Sequence, residues 1–135
     1  MKNTFTNTTV LDLLFNAANR NPSKTYCKSA HHEFTYQQFV AACIKLSNKI
    51  SDKNIKNEII GIFLPNSILF LISYFAILIS GNRPALLNYL LPDLALSKMI
   101  DNLEPSLLIS DKELLKSRSI IVKIEDYLKL KVSSI

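Results

Sequence analysis

Glycine is scarce in this chain, which has only 2 glycines among 135 residues. A backbone that wraps closely around a phosphate usually needs several glycines near each other, because glycine has no side chain to hold the main chain away. Gly61 and Gly81 stand apart in the sequence, so we predict no phosphate-cradling loop within it. Hydrophobic residues nevertheless make up 48% of the chain, which is typical of a globular protein rather than a disordered one.

Cysteine and histidine are also few, with 2 of each. Cys27 and Cys43 match no metal-binding spacing. His31 and His32 are adjacent in a predicted turn and have no third ligand nearby, whereas a closed zinc site needs about four ligands. The first nine residues are polar and lack the apolar stretch of a signal peptide. We therefore expect reduced cysteines, no metal site and a cytoplasmic location.

The net charge of +5 raises the question of nucleic-acid or anionic-membrane binding. Four lysines follow helical spacing and indicate the solvated face of a helix: Lys45, Lys49, Lys53 and Lys56. Aromatic residues do not alternate with basic ones, as base-stacking surfaces require. We expect no nucleic-acid partner.

The most apolar segment covers residues 68–79 (ILFLISYFAILI). A membrane-spanning helix needs about 20 apolar residues, and a run of 10–14 is more often a buried core helix. The segment is flanked by Pro65-Asn66 and by Asn82-Arg83. Asn66 or Ser67 can cap the predicted helix, and Gly81 fits the left-handed position after its end. The pattern favours a buried helix, and a small membrane-associated protein anchored by this segment stays open as an alternative.

Helices and strands alternate through the predicted pattern. Predicted helices cover residues 9–20, a segment that begins with a Thr35–Gln38 capping box, residues 68–79, and a segment capped by Asp93. Predicted strands cover residues 24–29, 33–34, 58–64, 83–88, 106–110 and 120–123. The strand at 58–64 (EIIGIFL) is apolar on both faces, which is typical of the middle of a covered parallel sheet. The predicted fold is an α/β layered sheet with flanking helices and right-handed crossovers.

Four segments in order resemble the N-terminal stretch of the adenylate-forming, AMP-binding superfamily of acyl-CoA synthetases, luciferases and peptide-synthetase adenylation domains. They are residues 9–24 (with TVLDLL, AA and NPSK), 34–39 (FTYQQF), 60–67 (IGIFLPNS) and the helix ending at Ser80-Gly81. A narrower match, residues 81–89 (GNRPALLNY), is similar to the synthetase half of bacterial 2-acylglycerophosphoethanolamine acyltransferase/acyl-carrier-protein synthetases. Residues 107–111 and a lysine-rich helix expected after them also resemble that branch.

The resemblance covers about residues 9–120 and implies an incomplete N-terminal portion of the large domain. In the family, the phosphate-binding loop, the ribose-binding aspartate, the magnesium ligand and the mobile lysine lie beyond this point. We therefore assign no catalytic, cofactor-binding or metal residue here, and no cofactor to this chain alone, while ATP and magnesium are implied for the full-length family. Asn57-Glu58 departs from the family's usual Gly-Asp. Asp93, Asp101 and Glu104 are spaced for capping and solvation rather than for metal binding.

The resemblance implies a truncated or split AMP-forming acyl-activating ligase segment that is inactive alone, so whether this chain is itself an enzyme stays open. In one alternative it complements a separately encoded remainder in lysophospholipid reacylation, with peripheral association at the inner membrane through the full-length family. We divide the chain into a synthetase portion, 1–119, and a C-terminal tail, 120–135. Lacking later neighbours, the sheet should have an open edge and exposed apolar side chains.

Overall fold

Four α-helices and six β-strands form the part of the chain that the computed structural model describes, residues 9–114 and 118–128. The helices are α1 (Val10–Arg20), α2 (Tyr36–Ser51), α3 (Ile68–Ile79) and α4 (Asp93–Leu103). The strands are β1 (Thr25–Lys28), β2 (Glu33–Thr35), β3 (Ile59–Phe63), β4 (Arg83–Leu86), β5 (Leu107–Ser110) and β6 (Ser119–Ile121), and a 3₁₀ turn covers Ile124–Asp126.

A four-stranded parallel sheet, in the order β4-β3-β5-β6, organises the fold. The α/β class predicted from the sequence is confirmed, as is the central position of the apolar strand β3. β1 and β2 form a separate antiparallel hairpin around the predicted His31-His32 turn. The lysine-rich segment after β5 begins with bends at Asp111 and Lys112 rather than a helix, and residues 115–117 lie outside the described part.

The first two helices begin with capping boxes, because each has a threonine that bonds to the third helical residue. The Thr9 hydroxyl accepts a hydrogen bond from the Asp12 N–H at 3.1 Å, and the Asp12 carboxylate accepts one from the Thr9 N–H at 3.1 Å. Thr35 and Gln38 form the same reciprocal pair, at 3.1 and 3.0 Å. The predicted Thr35–Gln38 capping box is confirmed, and each box satisfies N–H groups that the helix start leaves unpaired.

The start of α4 differs from the prediction. Pro92 is the N-cap residue, and no side chain caps this helix. Asp93, which was predicted to cap, is the first helical residue, where its carboxylate is favoured by the helix dipole instead. Leu96 N–H bonds to the Pro92 carbonyl at 2.9 Å, so the proline, whose φ is already fixed near helical values, begins the helix one residue early.

The four lysines do not share one helix face, and this prediction is wrong for two of them. α2 ends at Ser51, so Lys53 and Lys56 lie beyond it. Asn54 has a φ of +58°, a left-handed conformation through which a right-handed helix cannot continue. Lys56 Nζ instead donates to the Ser80 carbonyl at 3.2 Å.

The two faces of the sheet are covered by different helices. Side chains alternate along a strand, so Ile60 and Ile62 of β3 join the larger core cluster, with α2 and α3. Phe63 points to the opposite face and joins a smaller cluster with α4. Gly61 lies on this second face, where an added Cβ would stand 2.5 Å from a methyl of Leu108. α4 therefore lies close to the centre of the sheet.

α3 is a core helix, as predicted. Ser67 caps it by accepting a hydrogen bond from the Phe70 N–H at 3.2 Å, and Gly81 follows its end with a left-handed φ of +81°, both as expected. The helix packs against α2 and β3 and buries Ile72 and Phe75. Within residues 9–114 and 118–128, no helix combines the length and the apolar character that crossing a membrane requires.

The residues after β6 close the α2 side of the core. Tyr127 is fully buried, and Lys45 Nζ lies 5.4 Å from its ring centroid while donating to the Asp126 carbonyl at 2.9 Å. The division between residues 119 and 120 stays a prediction, and it falls within β6. Through residue 128, then, the chain packs on the same core as the strands before it.

Candidate functional site

The strand order creates a crevice at the carboxyl ends of β3 and β5. The chain moves from β3 to β4 on one side and then to β5 on the other side of β3. In open α/β sheets, ligands bind outside the carboxyl ends of the strands where the order reverses in this way. A cavity of about 280 Å³ lies at this point, and we take it as the candidate site, the switch-point crevice.

The crevice has an apolar floor and a few polar groups at its rim. Its polar lining comes from the β1–β2 turn (Ser29, His32), the turn after β3 (Asn66, Ser67) and the end of β5 (Asp111), and its apolar lining is Leu64, Pro65, Ile68, Leu69 and Ile124. The N-terminus of α3 opens at its edge, where the free N–H groups favour negative charge. This combination is typical of a small-molecule binding site.

A polar and aromatic cluster fixes the wall of the crevice that β5 contributes. The Tyr89 hydroxyl contacts both carboxylate oxygens of Asp111, at 3.1 and 3.0 Å. This hydrogen bond from the neutral phenol raises the pKa of Tyr89, because ionised Tyr89 could no longer donate. Lys112 Nζ lies 5.2 Å from the Tyr89 ring centroid and 5.4 Å from that of Phe63. The ends of β3, β4 and β5 are thereby held together.

The groups around the crevice can both donate and accept hydrogen bonds. One carboxylate, one imidazole, two hydroxyls and an amide supply hydrogen bonds of both kinds. Over the described ranges, no three or more His, Cys, Asp or Glu side chains come together in a way that would hold a metal ion. The residues present do not fit a magnesium–nucleotide site by themselves, so no chemical step is derived through one.

The histidines and cysteines that the sequence analysis considered as metal ligands are not part of any metal-binding cluster of three or more His, Cys, Asp or Glu residues in the described part of the chain. The His31 and His32 rings are 6.4 Å apart, and only His32 lines the crevice. Cys27 and Cys43 are free thiols. Burial raises the pKa of Cys27 to about 11 and that of Cys43 well above its usual value, so neither resembles a reactive thiolate. The prediction that no catalytic, cofactor-binding or metal residue can be assigned stays a prediction.

The crevice itself was not predicted from the sequence. Asn66 and Ser67 were recognised only as helix-capping residues, and Asp111 only as part of a family resemblance. The signal that could have found them is that they directly follow two buried strands. Pairing β3 with β5, rather than with β4 alone, is what brings them to one edge, and this pairing is a long-range property of the sheet.

Comparison with known proteins identifies the class. Residues 14–134 match the family model described as AMP-binding enzyme, and the chain belongs to this family. Vanchrobactin synthetase VabF of Vibrio anguillarum is 27% identical over 104 residues, which are 76% of this chain and 4% of that protein.

Solved structures share the fold. The N-terminal subdomain of Klebsiella oxytoca NpsA, in complex with 3-hydroxybenzoyl-AMSN, superposes with a TM-score of 0.77 at 17% identity, over 90% of this chain and 32% of that one. The O-succinylbenzoate Coenzyme A synthetase MenE of Bacillus subtilis, in complex with AMP, gives 0.73 at 17% identity, over 87% and 32%. The fold is that of the N-terminal subdomain of adenylate-forming enzymes, and this chain spans about a third of each solved chain.

Proposed function

We propose that this chain forms the opening segment of an enzyme that activates a carboxylic acid by joining it to AMP. The observation that carries the proposal is the family match over residues 14–134 together with the shared fold. The chain spans 32% of the solved relatives, so most of an adenylate-forming subdomain has no counterpart in it. The proposed role is to build one end of the shared sheet, with its switch-point crevice.

The chemistry itself is assigned to polypeptide beyond this segment. Adenylation brings a carboxylate against the α-phosphate of ATP, and Mg²⁺ with fixed N–H donors neutralises the charge that develops. The described residues do not form such a set, since the crevice holds the Asp111 carboxylate without a cluster of metal ligands. We therefore propose that the chain is inactive alone.

For the acid we propose a fatty acid, and for the acceptor the thiol of acyl-carrier protein, as a step in returning fatty acids to lysophospholipid. Residues 81–89, with Pro84, Leu87 and Tyr89, support this through their similarity to that branch of the family. The relatives named above activate other acids or carry other descriptions, so the substrate must be decided by assay. A panel that contains long-chain fatty acids and aryl acids separates the two classes.

The test begins with the DNA directly downstream of this coding sequence. A reading frame that opens with a Ser/Thr/Gly-rich loop ending in lysine would encode the complementing polypeptide. Co-expressed with this chain, it should catalyse ATP–pyrophosphate exchange that depends on a fatty acid, whereas each part alone should give only background. Exchange by the purified chain alone, abolished by a substitution within it, would show that the proposed division of labour is wrong.

The alternative of a membrane anchor has less support. α3 would have to leave the core to insert into a bilayer, although Ile72 and Ala76 are fully buried there. Complementation of a separately encoded remainder has more support than the anchor, because this chain covers only 32% of each of the two solved relatives. Retention of the purified chain on carbonate-washed vesicles would reverse this preference.

A further inference from the structure

The segment that follows β6, residues 122–128, is held to the rest of the described chain by few hydrogen bonds, and we call it the strap. Its first residue, Val122, donates its N–H to the Ser110 carbonyl at 2.9 Å. Further along, one hydrogen bond connects it to another described element, from Lys45 Nζ of α2 to the Asp126 carbonyl at 2.9 Å. The strap is therefore held in place mainly by the burial of its side chains.

Tyr127 is the largest buried side chain of the strap, and its burial is costly. The residue is fully buried, and Lys45 Nζ lies 5.4 Å from its ring centroid. Its hydroxyl, however, has no hydrogen-bond partner among the described residues. A buried polar group without a partner costs free energy that is recovered when water reaches it. We therefore expect the strap to leave α2 more readily than the sheet comes apart.

The strap also forms part of the wall of the switch-point crevice. Ile124 lines the crevice together with Leu64, Ile68 and Leu69, and it packs against the larger core cluster. With the strap in place the crevice has a volume of about 280 Å³, slightly below the range of about 300–1,000 Å³ that is typical of ligand pockets. Removing Ile124 from this wall would widen the crevice.

We propose that the strap is a gate of the switch-point crevice, which leaves α2 as a unit and so admits a ligand that the docked strap excludes. The pivot lies beside Val122, because its N–H bond to Ser110 is where the contact with the sheet ends. The ligand is a small organic molecule with an apolar part, since the crevice has an apolar floor and few polar groups at its rim. The inference concerns access to the crevice and does not depend on which acid the enzyme activates.

Hydrogen exchange of the full 135-residue chain measures the opening. The Tyr127 N–H donates to the Ile124 carbonyl at 3.0 Å within the strap, and its burial ends when the strap leaves α2. Fully buried Ile109 of β5 reports on the whole sheet. We expect the Tyr127 amide to exchange at least about tenfold faster than the Ile109 amide, with a shallower dependence on urea, because a local opening exposes little surface.

Two substitutions should shift the opening in opposite directions. Lys45→Met keeps an unbranched side chain but removes the hydrogen bond to Asp126 and the charge near the Tyr127 ring, so opening should increase at least about fivefold. Tyr127→Phe removes the hydroxyl that lacks a partner, so opening should decrease about fivefold. Lys49→Met is the matched control, because Lys49 is an exposed lysine one turn further along α2. It should change the opening by less than about twofold.

Access to the crevice is measured by thiol labelling of Leu69→Cys, with the unmodified chain as the blank for the native Cys27 and Cys43. Leu69 lines the crevice and is half-buried, so a thiol reagent should reach a cysteine there mainly while the strap is open. Adding Lys45→Met should speed the labelling at least about fivefold, and adding Tyr127→Phe should slow it, in step with the exchange of the Tyr127 amide. Circular dichroism checks that every variant is folded.

Three outcomes would overturn the inference. Equal protection and equal urea dependence of the Tyr127 and Ile109 amides would show that the strap opens only when the whole fold does. Labelling of Leu69→Cys that does not follow the amide exchange would show that the strap moves without controlling the crevice. Labelling as fast as that of the urea-unfolded variant would show that the crevice is open while the strap is docked.

Discussion

Replacing Asn82 by alanine should cost more stability than any other single polar substitution in the described core. The Asn82 side chain is 5% exposed and joins three segments. Its oxygen accepts from the Glu58 N–H at 3.1 Å, and its nitrogen donates to the Ile55 carbonyl at 3.1 Å and to the Ser80 hydroxyl at 2.9 Å. It thereby connects the end of α3 with the start of β3.

The magnitude follows from these three hydrogen bonds. Each contributes about 1 kcal/mol net, and a buried acceptor left without a donor costs about 1–3 kcal/mol more. Water can replace the partner of exposed Glu58, but not easily that of buried Ile55. We therefore expect the free energy of unfolding to fall by about 3–4 kcal/mol for Asn82→Ala, a large part of the 5–15 kcal/mol typical of a domain.

Urea denaturation followed by circular dichroism measures this loss. Asn102→Ala is the control, because Asn102 is an exposed residue of α4 and alanine favours the helix, so stability should stay within about 0.5 kcal/mol. A loss below about 1 kcal/mol for Asn82→Ala, with an unchanged denaturant slope, would refute the reasoning, since it would mean that these hydrogen bonds contribute almost nothing beyond those of water.

Four further substitutions test the core by the same denaturation assay. Phe75→Ala should cost about 2–5 kcal/mol because Phe75 is buried, and half-buried Leu71→Ala should cost clearly less; equal losses would contradict the packing. Tyr127→Phe should stabilise the protein by about 1 kcal/mol, since the buried hydroxyl has no partner among the described residues. A loss of stability would indicate that the hydroxyl does have a hydrogen-bond partner. Gly61→Ala should cost about 1–3 kcal/mol by displacing Leu108, whereas a neutral result would show that this side chain moves freely.

The predictions that succeeded depended on local chemistry. The Thr35–Gln38 capping box, the Ser67 cap and the glycine after α3 are decided within a few residues, and the sequence contains those residues whatever the rest of the chain does. Strand β3 was also predicted from a local feature, its continuous apolar run. Such a run needs cover on both faces, which is why it indicated the middle of the sheet. The prediction of one lysine face was wrong because α2 ends at Ser51, before Lys53 and Lys56, and the helical spacing of the lysines does not reveal that end.

The switch-point crevice could not be predicted from the sequence, because strand order is not a local property. Nothing near Asp111 shows that β5 lies beside β3 rather than β4. That choice follows from two crossovers, α3 over one face of the sheet and α4 over the other, and only their combination opens the crevice.

The loop after β5 links the switch-point crevice to a groove beside α4. Asp111 lines the switch-point crevice, and its neighbour Lys112 lines the groove beside α4. Tyr89 contacts both, by its hydroxyl to Asp111 and by its ring beneath Lys112. A polypeptide that fills the groove must pack against Lys112, and any shift there is transmitted through one peptide bond and one hydrogen-bonded pair. A shift of Lys112 would therefore also move the Asp111 carboxylate at the crevice.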